Sequence, residues 1–196
     1  GSWNGNLSGG ADRVFVVEAD EYDRSFLALD PHVAVVTNIE ADHLDIYRDL
    51  DDIRSTFAQF CARARWLVPC ADDRWANLLP SPPTAEVLRY GIENPDARLV
   101  ARGITNVDGG SAFEVVFDGK PIGPGRLSVP GEHNVRNALA AIAVGVGCWG
   151  APLETLARGL ANFGGVERRF ERLGDAEGVS VIDDYAHHPT EIRATL

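Results

Sequence analysis

Cysteine is scarce in this chain. Cys61, Cys70 and Cys148 are the three present in 196 residues, and none belongs to a CxxC pair. Neither a zinc knuckle nor a disulfide framework is indicated, and a reducing, cytoplasmic setting fits. No apolar run approaches the roughly 20 residues of a membrane span, and no charged-apolar-small signal segment opens the sequence. Lysine is scarcer still: Lys120 stands alone, and the other basic residues are arginines. At a formal net charge of −11 the chain lacks the basic surface that a nucleic-acid backbone requires. A nucleotide stays admissible, because it needs only a local electropositive pocket. A GxxxxGK[ST] phosphate loop, a GxSxG elbow and an HExxH zinc motif are all missing from the sequence.

The remaining composition is that of an ordinary globular protein, 45% hydrophobic and 24% charged, long enough for one good core and part of a second domain. "RVFVVEA" (13–19) and "VAVVTN" (33–38) read as buried strands, short, β-branched and continuous, with Val35 and Val36 inside. Residues 50–64 place Leu50, Ile53, Phe57, Phe60 and Cys61 at helical spacing, with acids in the first turn and arginines in the last. "RWLVP" (65–69) is a further strand. Strand, helix, strand at this spacing predicts a parallel sheet flanked by helices. Residues 88–129 change character to short segments broken by Gly, Pro and Asp, with "FDGK" as a hairpin signal. They predict a small antiparallel sheet inserted in an α/β fold. Helices are expected over 133–150 and 152–163, then a strand at 179–186. That last strand, lacking an evident partner, is expected to pack on the preceding domain or on a neighbour.

Five polar constellations follow predicted elements. "VVEADEYD" (16–23) delivers Glu18, Asp20, Glu21 and Asp23 at a strand end, where a parallel sheet opens its binding crevice. "VVTNIEADHLD" (35–45) delivers Glu40, Asp42, His43 and Asp45. Glu18 and His43 together offer one hard oxygen and one imidazole, a set suited to Mg²⁺ or Mn²⁺ with positions left for phosphate oxygens. Solvated loops of an acidic protein are the bland alternative. "PGEHNVRNALAA" (130–141) puts Asn134 and Asn137 at a helix entrance. Asn134 is open to a plain N-cap reading, whereas Asn137 is placed to offer its amide to a base edge. "GVERRFE" (165–171) presents Arg168 and Arg169, either a phosphate site or a surface pair. "DDYAHHPTE" (183–191) sets two acids and two histidines directly after a strand.

These five stretches, in this order, resemble the Mur ligases. The similarity runs from about residue 14 to the end, strongest toward the branch that adds L-alanine to UDP-N-acetylmuramate in peptidoglycan synthesis. "EADEYD" with "DDYAHHPT" is shared with the murein-tripeptide recycling branch. The resemblance implies part of a central ATP-binding domain over 1–165, then a linker and the start of a C-terminal Rossmann-like domain over 166–196. It places the family's phosphate loop upstream of residue 1, so these 196 residues alone are expected not to turn over ATP.

The resemblance also implies roles: Glu18 and His43 holding magnesium near the γ-phosphate, Asn134 and Asn137 at the adenine, and Arg169 near the phosphates. Asp184, or Asp183 beside it, would contact the ribose. His187 and His188 would face the muramoyl or alanine side. Branches adding later amino acids carry a carbamylated lysine about fifteen residues after the metal histidine; that position here is Ala58, as in the alanine-adding type. The implied reaction is phosphorylation of the muramoyl carboxylate by ATP, followed by attack of the L-alanine amine. The implied setting is the bacterial cytoplasm, without nucleic acid or membrane as partner. Self-association through the C-terminal segment is a further expectation. The competing readings are the recycling ligase, a non-catalytic nucleotide-binding module, and a metallohydrolase that works without ATP.

Overall fold

Strands β1 (Val33–Val36) and β2 (Trp66–Pro69) lie parallel and in register, Val33 opposite Trp66 and Val36 opposite Pro69. Helix α1 (Leu50–Cys61) makes the crossover between them. The structure, a computed structural model, describes residues 14–195. A short strand β3 (Glu86–Val87) adds to β2 in parallel, giving the order β1-β2-β3.

Helix α1 starts where the sequence provides a cap. The Asp49 carboxylate accepts from the Asp52 amide at 2.8 Å, and Asp51 and Asp52 sit in the first turn, both favourable to the helix N-terminus. Its stripe of Ile53, Phe60 and Cys61 is buried against Ala34, Val36 and Leu67. The arginines expected in its last turn lie beyond its end. Arg63 instead reaches back to the carbonyls of Leu27 and Leu29 at 2.5 and 3.1 Å.

Alternation along β2 separates two cores. Leu67 points into the α1 core, while Val68, its neighbour, points into a second core with Leu99, Val115, Val135, Leu139 and Ile142. A strand whose successive side chains face opposite sides needs apolar cover on both. At about 1.5–3 kcal/mol per fully buried aliphatic side chain, β2 is the strand on which both cores depend. β1 is less fully covered: Val36 is buried, but Val35 is 39% exposed, against the expectation that both would be inside.

The second sheet runs β4 (Tyr90–Gly91), β5 (Leu99–Val107), β6 (Gly110–Phe117), β7 (Lys120–Leu127). It is mixed rather than purely antiparallel, because β4 lies parallel to β5. β4 continues the path of β3, and a parallel bridge between Cys70 and Tyr90 stitches it to the end of β2. The "FDGK" turn is a two-residue hairpin with Asp118 and Gly119 both at positive φ, 49° and 76°, the backbone that such turns require.

The helical region splits into α3 (Glu132–Ile142), a π-helical turn (Ala143–Cys148) and α4 (Leu153–Ala161). α3 covers the sheet face opposite α1, which completes an α/β/α layering. A short helix α2 (Arg74–Asn77), capped by Asp73, follows β2.

At the N-terminal side an expectation is corrected, and at the C-terminal side one of two alternatives is. Residues 14–19 form no strand, and Val14, Phe15, Val16 and Val17 are 53%, 78%, 88% and 44% exposed. β-branched sequence favours extension but does not make a strand without a ladder partner. At the other end, β9 (Val179–Asp183) does not pack on the first domain. It pairs with β8 (Glu171–Ala176) as an exposed hairpin, leaving Val179 63% and Val181 47% accessible. Helix α5 (Pro189–Thr195) follows.

Candidate active site

The carboxyl ends of β1 and β2 open on the same edge of the parallel sheet, the place where such sheets bind ligands. The loop after β1 carries His43, whose φ of 52° is left-handed. Its carbonyl accepts from the amides of Ile46 and Tyr47, both at 2.9 Å, which closes the turn. A 3₁₀ segment, Tyr22–Ala28, supplies the opposing wall. Phe26 anchors that segment between Phe57 and Phe60, with ring centroids 5.1 and 4.9 Å away. The buried Tyr47 hydroxyl donates to the Glu21 carbonyl at 2.5 Å. These ties set Nε2 of His43 3.5 Å from a Glu21 carboxylate oxygen, with the Tyr22 ring edge-on to the imidazole at 5.2 Å.

Glu21 is thus the acid that faces His43, whereas Glu18 is exposed on the coil before it. Asp42 gives His43 its backbone cap, accepting from the His43 amide at 2.7 Å. Its distance of 3.9 Å from Nδ1 is too long for a hydrogen bond that would orient the ring. Among the described residues no three His, Cys, Asp or Glu side chains converge into a metal cage. The His43–Glu21 pair offers two ligating side chains. That suits a cation drawing most of its ligands from phosphate and water, as Mg²⁺ does, and does not suit a metal held by protein alone.

On the neighbouring strand end, Asp72 and Asp73 are adjacent and behave oppositely. Burial pushes the Asp72 carboxyl up. The amides of Ile92 and Asn94, the Arg136 guanidinium and the Glu93 amide outweigh it and hold the group below the ordinary carboxylate range. Burial of Asp73 prevails over the amides of Ala76, Ile39 and Trp75, so its carboxyl is raised. Sequence reading passed over both aspartates. Their signal, two acids directly after a buried strand, was the one used for the other clusters.

Asn134 is not the cap of α3. Gly131 holds that position, and the Asn134 amide donates to the Pro130 carbonyl at 2.7 Å. Asn137, one turn on, is exposed. His133 beside them is lowered by burial, against the opposing pull of the Asp184 charge.

The C-terminal segment forms its own polar knot. Asp184 accepts from the amides of Ala186 at 2.7 Å and Phe170 at 2.8 Å. The Ala186 hydrogen bond leads in holding its carboxyl low, and the Phe170 amide, Thr195 hydroxyl and Arg169 charge assist against a smaller effect of burial. Asp183 is 3.7 Å from Arg168. Arg169 pairs with Glu191 at 3.3 Å. The Tyr185 ring, which the sequence did not single out, sits 4.7 Å beneath the Arg168 guanidinium, with Arg169 at 6.0 Å and His187 edge-on at 5.4 Å. His187 Nδ1 is 3.1 Å from the Tyr185 carbonyl. His188 leaves the knot, its Nδ1 3.3 Å from Glu40 in the β1 loop. Glu40 therefore links the "HHPT" stretch to the loop that carries His43, while Asn134 and Asn137 stand on α3.

A parallel sheet between helical layers, with His43 in the loop beyond β1 and Asp72 and Asp73 beyond β2, defines an α/β protein of the class whose ligand crevices lie at that edge. The chain belongs to the Mur ligase family: residues 8–145 match the Mur ligase middle domain, and residues 168–196 match the Mur ligase glutamate ligase domain. It is 48% identical to the UDP-N-acetylmuramate–L-alanine ligase of Acidothermus cellulolyticus over 97% of its own length and 41% of that protein. Among solved structures it is similar to the UDP-N-acetylmuramate-alanine ligase of Thermotoga maritima, with a TM-score of 0.76 and 31% identity over 90% of this chain and 40% of that one. The murein peptide ligase of Psychrobacter arcticus aligns with a TM-score of 0.66 and 28% identity, covering 97% of this chain and 42% of the other. The chain thus spans about two fifths of the length of these relatives.

Proposed function

We propose that the intact protein is an ATP-dependent ligase joining L-alanine to UDP-N-acetylmuramate. In this reading residues 1–165 belong to its ATP-binding domain and 166–196 begin the domain that follows. The observation carrying the proposal is the 48% identity across nearly the whole chain to a ligase of that name. Ala58, at the place of the carbamylated lysine of other branches, agrees with it.

The assigned roles follow the family resemblance. His43, with Glu18 or with the Glu21 that faces it, would hold Mg²⁺, which when bound would neutralise charge between the phosphate and carboxylate anions. Asn134 and Asn137 would read the adenine edge, Asp184 the ribose, and Arg169 the phosphates. His187 and His188 would border the muramoyl and alanine side. A muramoyl carboxylate oxygen attacks the γ-phosphorus and ADP leaves; the alanine nitrogen then attacks the acyl carbon and phosphate leaves. Among the described residues no helix is long and apolar enough to cross a membrane, and the proposed setting is the bacterial cytoplasm. Self-association through the exposed β8–β9 hairpin belongs to the same proposal, and sedimentation velocity of the isolated chain tests it.

The deciding experiment is phosphate release by the intact protein with ATP and UDP-N-acetylmuramate, comparing L-alanine with the preformed tripeptide as acceptor. Dependence on L-alanine is expected. Preference for the tripeptide would move the assignment to the recycling branch, whose "EADEYD" and "DDYAHHPT" stretches are shared. Turnover of neither would leave a binding module.

A further inference from the structure

Helix α3 carries both proposed adenine-reading asparagines, and polar ties at its first turn add to the apolar stripe that seats it on the sheet. Its N-cap, Gly131, provides no side-chain hydrogen bond. Its buried stripe mixes Val135, Leu139 and Ile142 with the small Ala138 and Ala140. Two polar ties hold its first turn from opposite flanks. Asn134 binds the Pro130 carbonyl. Arg136, roughly 160° away around the helix, reaches Asp72 at the end of β2, Nε to Oδ2 at 3.0 Å. Asp72 is only 9% accessible at its side chain. It also accepts from the amides of Ile92, Glu93 and Asn94 at 2.7, 3.1 and 2.9 Å. One carboxylate therefore joins the sheet edge, the turn after β4 and the helix.

We propose that Asp72 and Arg136 are a positioning pair for nucleotide recognition. They set the roll of α3 and so the direction in which Asn134 and Asn137 present their amides. Neither residue touches the ligand in this scheme. The inference rests on the adenine role proposed above for the asparagines. A bidentate-capable guanidinium on a carboxylate already fixed by three amides constrains direction as well as distance. The site is built to admit that carboxylate: a Cβ on Gly91 would lie 2.7 Å from Asp72 Oδ1, and the Gly91 backbone lies outside the left-handed region, so contact with Asp72 is what a side chain there would meet. Glu132, 3.5 Å from the Arg136 Nη2 and one turn earlier, is the second acid on the same guanidinium.

The test uses the intact ligase and compares R136M, R136K, D72N and G91A with N137A as reference. Melting temperature, kcat, and the KM values for ATP and for L-alanine are measured, together with ATP-over-GTP preference. A positioning role predicts that R136M raises KM for ATP about tenfold and weakens the preference for ATP, with kcat within about twofold and KM for L-alanine unchanged. R136K restores part of the loss, since a point charge reaches Asp72 without the planar fork. G91A moves the same parameters while leaving both charges in place. If N137A raises KM for ATP and a folded R136M does not, the positioning role is wrong and the asparagine role survives. Parallel losses in every KM, following melting temperature, also overturn it as merely structural. If N137A leaves KM for ATP unchanged, the asparagine reading itself fails and takes this inference with it.

Discussion

The Thr190 hydroxyl donates to a Glu40 carboxylate oxygen at 2.7 Å across 150 residues of sequence, and His188 Nδ1 stands 3.3 Å from the same oxygen. One acid in the β1 loop thus ties the C-terminal segment to the edge of the parallel sheet, three residues before His43.

Replacing Glu40 by alanine should loosen that segment without unfolding the rest. Partly exposed pairs of this kind contribute about 1 kcal/mol or less. Hydrogen exchange in E40A is expected to accelerate over residues 186–195 and stay near wild type in β1, β2 and α1. Unchanged exchange in the segment would show that Glu40 is not its anchor.

The proposed metal pair can be resolved between two glutamates. His43 faces Glu21 at 3.5 Å, whereas the sequence pairs it with Glu18. If the proposed function holds, H43A in the intact protein should raise the Mg²⁺ concentration giving half-maximal phosphate release at least about 10-fold, since even an outer-shell partner is worth about 10–100-fold. Titrations of E18Q and E21Q then rank the two acids. A wild-type Mg²⁺ dependence in H43A would remove the histidine from the metal site.

Asp72 and Asp73 should respond to acid in opposite senses. Asp72 has its folded pKa lowered. Its contribution is complete above the unfolded carboxyl value and is lost as pH falls through the folded one. Asp73 has its folded pKa raised, so its contribution is present below the unfolded value and is lost as pH rises through the folded one. D72N should flatten the acid limb of the stability curve, and D72A should cost about 3 kcal/mol at pH 7, because Arg136 and three amides lose their partner. D73N, which keeps a capping side chain, should be neutral or stabilising at pH 7. Urea denaturation of the isolated chain between pH 3 and 8 measures both, and a loss in D73N as large as in D72N would contradict the assignment.

The thiols should be inert in the folded chain. Burial pushes Cys61 up to about 12 and Cys148 to about 11, and Cys70 is also raised, with the amides of Asp73 and Asp72 opposing. Reaction with a chromogenic disulfide at pH 8 should be slow natively and fast in urea, because the thiolate is the nucleophile. The half-buried Cys148 should react first. Rapid native labelling of Cys61 would mean that the α1 core opens readily.

Much of this protein was legible without a structure, for local reasons. Short continuous β-branched runs marked β1 and β2, and apolar residues at helical spacing marked α1. The Asp-Gly turn announced the β6–β7 hairpin, because few residues tolerate its backbone. The five polar stretches marked the family, since each follows or opens an element that fixes its place. What the sequence could not decide was partnership. Val14–Val17 have strand chemistry and no strand, and Val179 and Val181 look buried and are not, because a strand exists only through its neighbours. Which acid meets His43 depends on a left-handed turn and on Tyr47 holding the Glu21 backbone. The roles of Asp72 and Arg136 arise from β2, β4 and α3 meeting at one carboxylate, a meeting separated by 64 residues of chain that tertiary packing alone brings about.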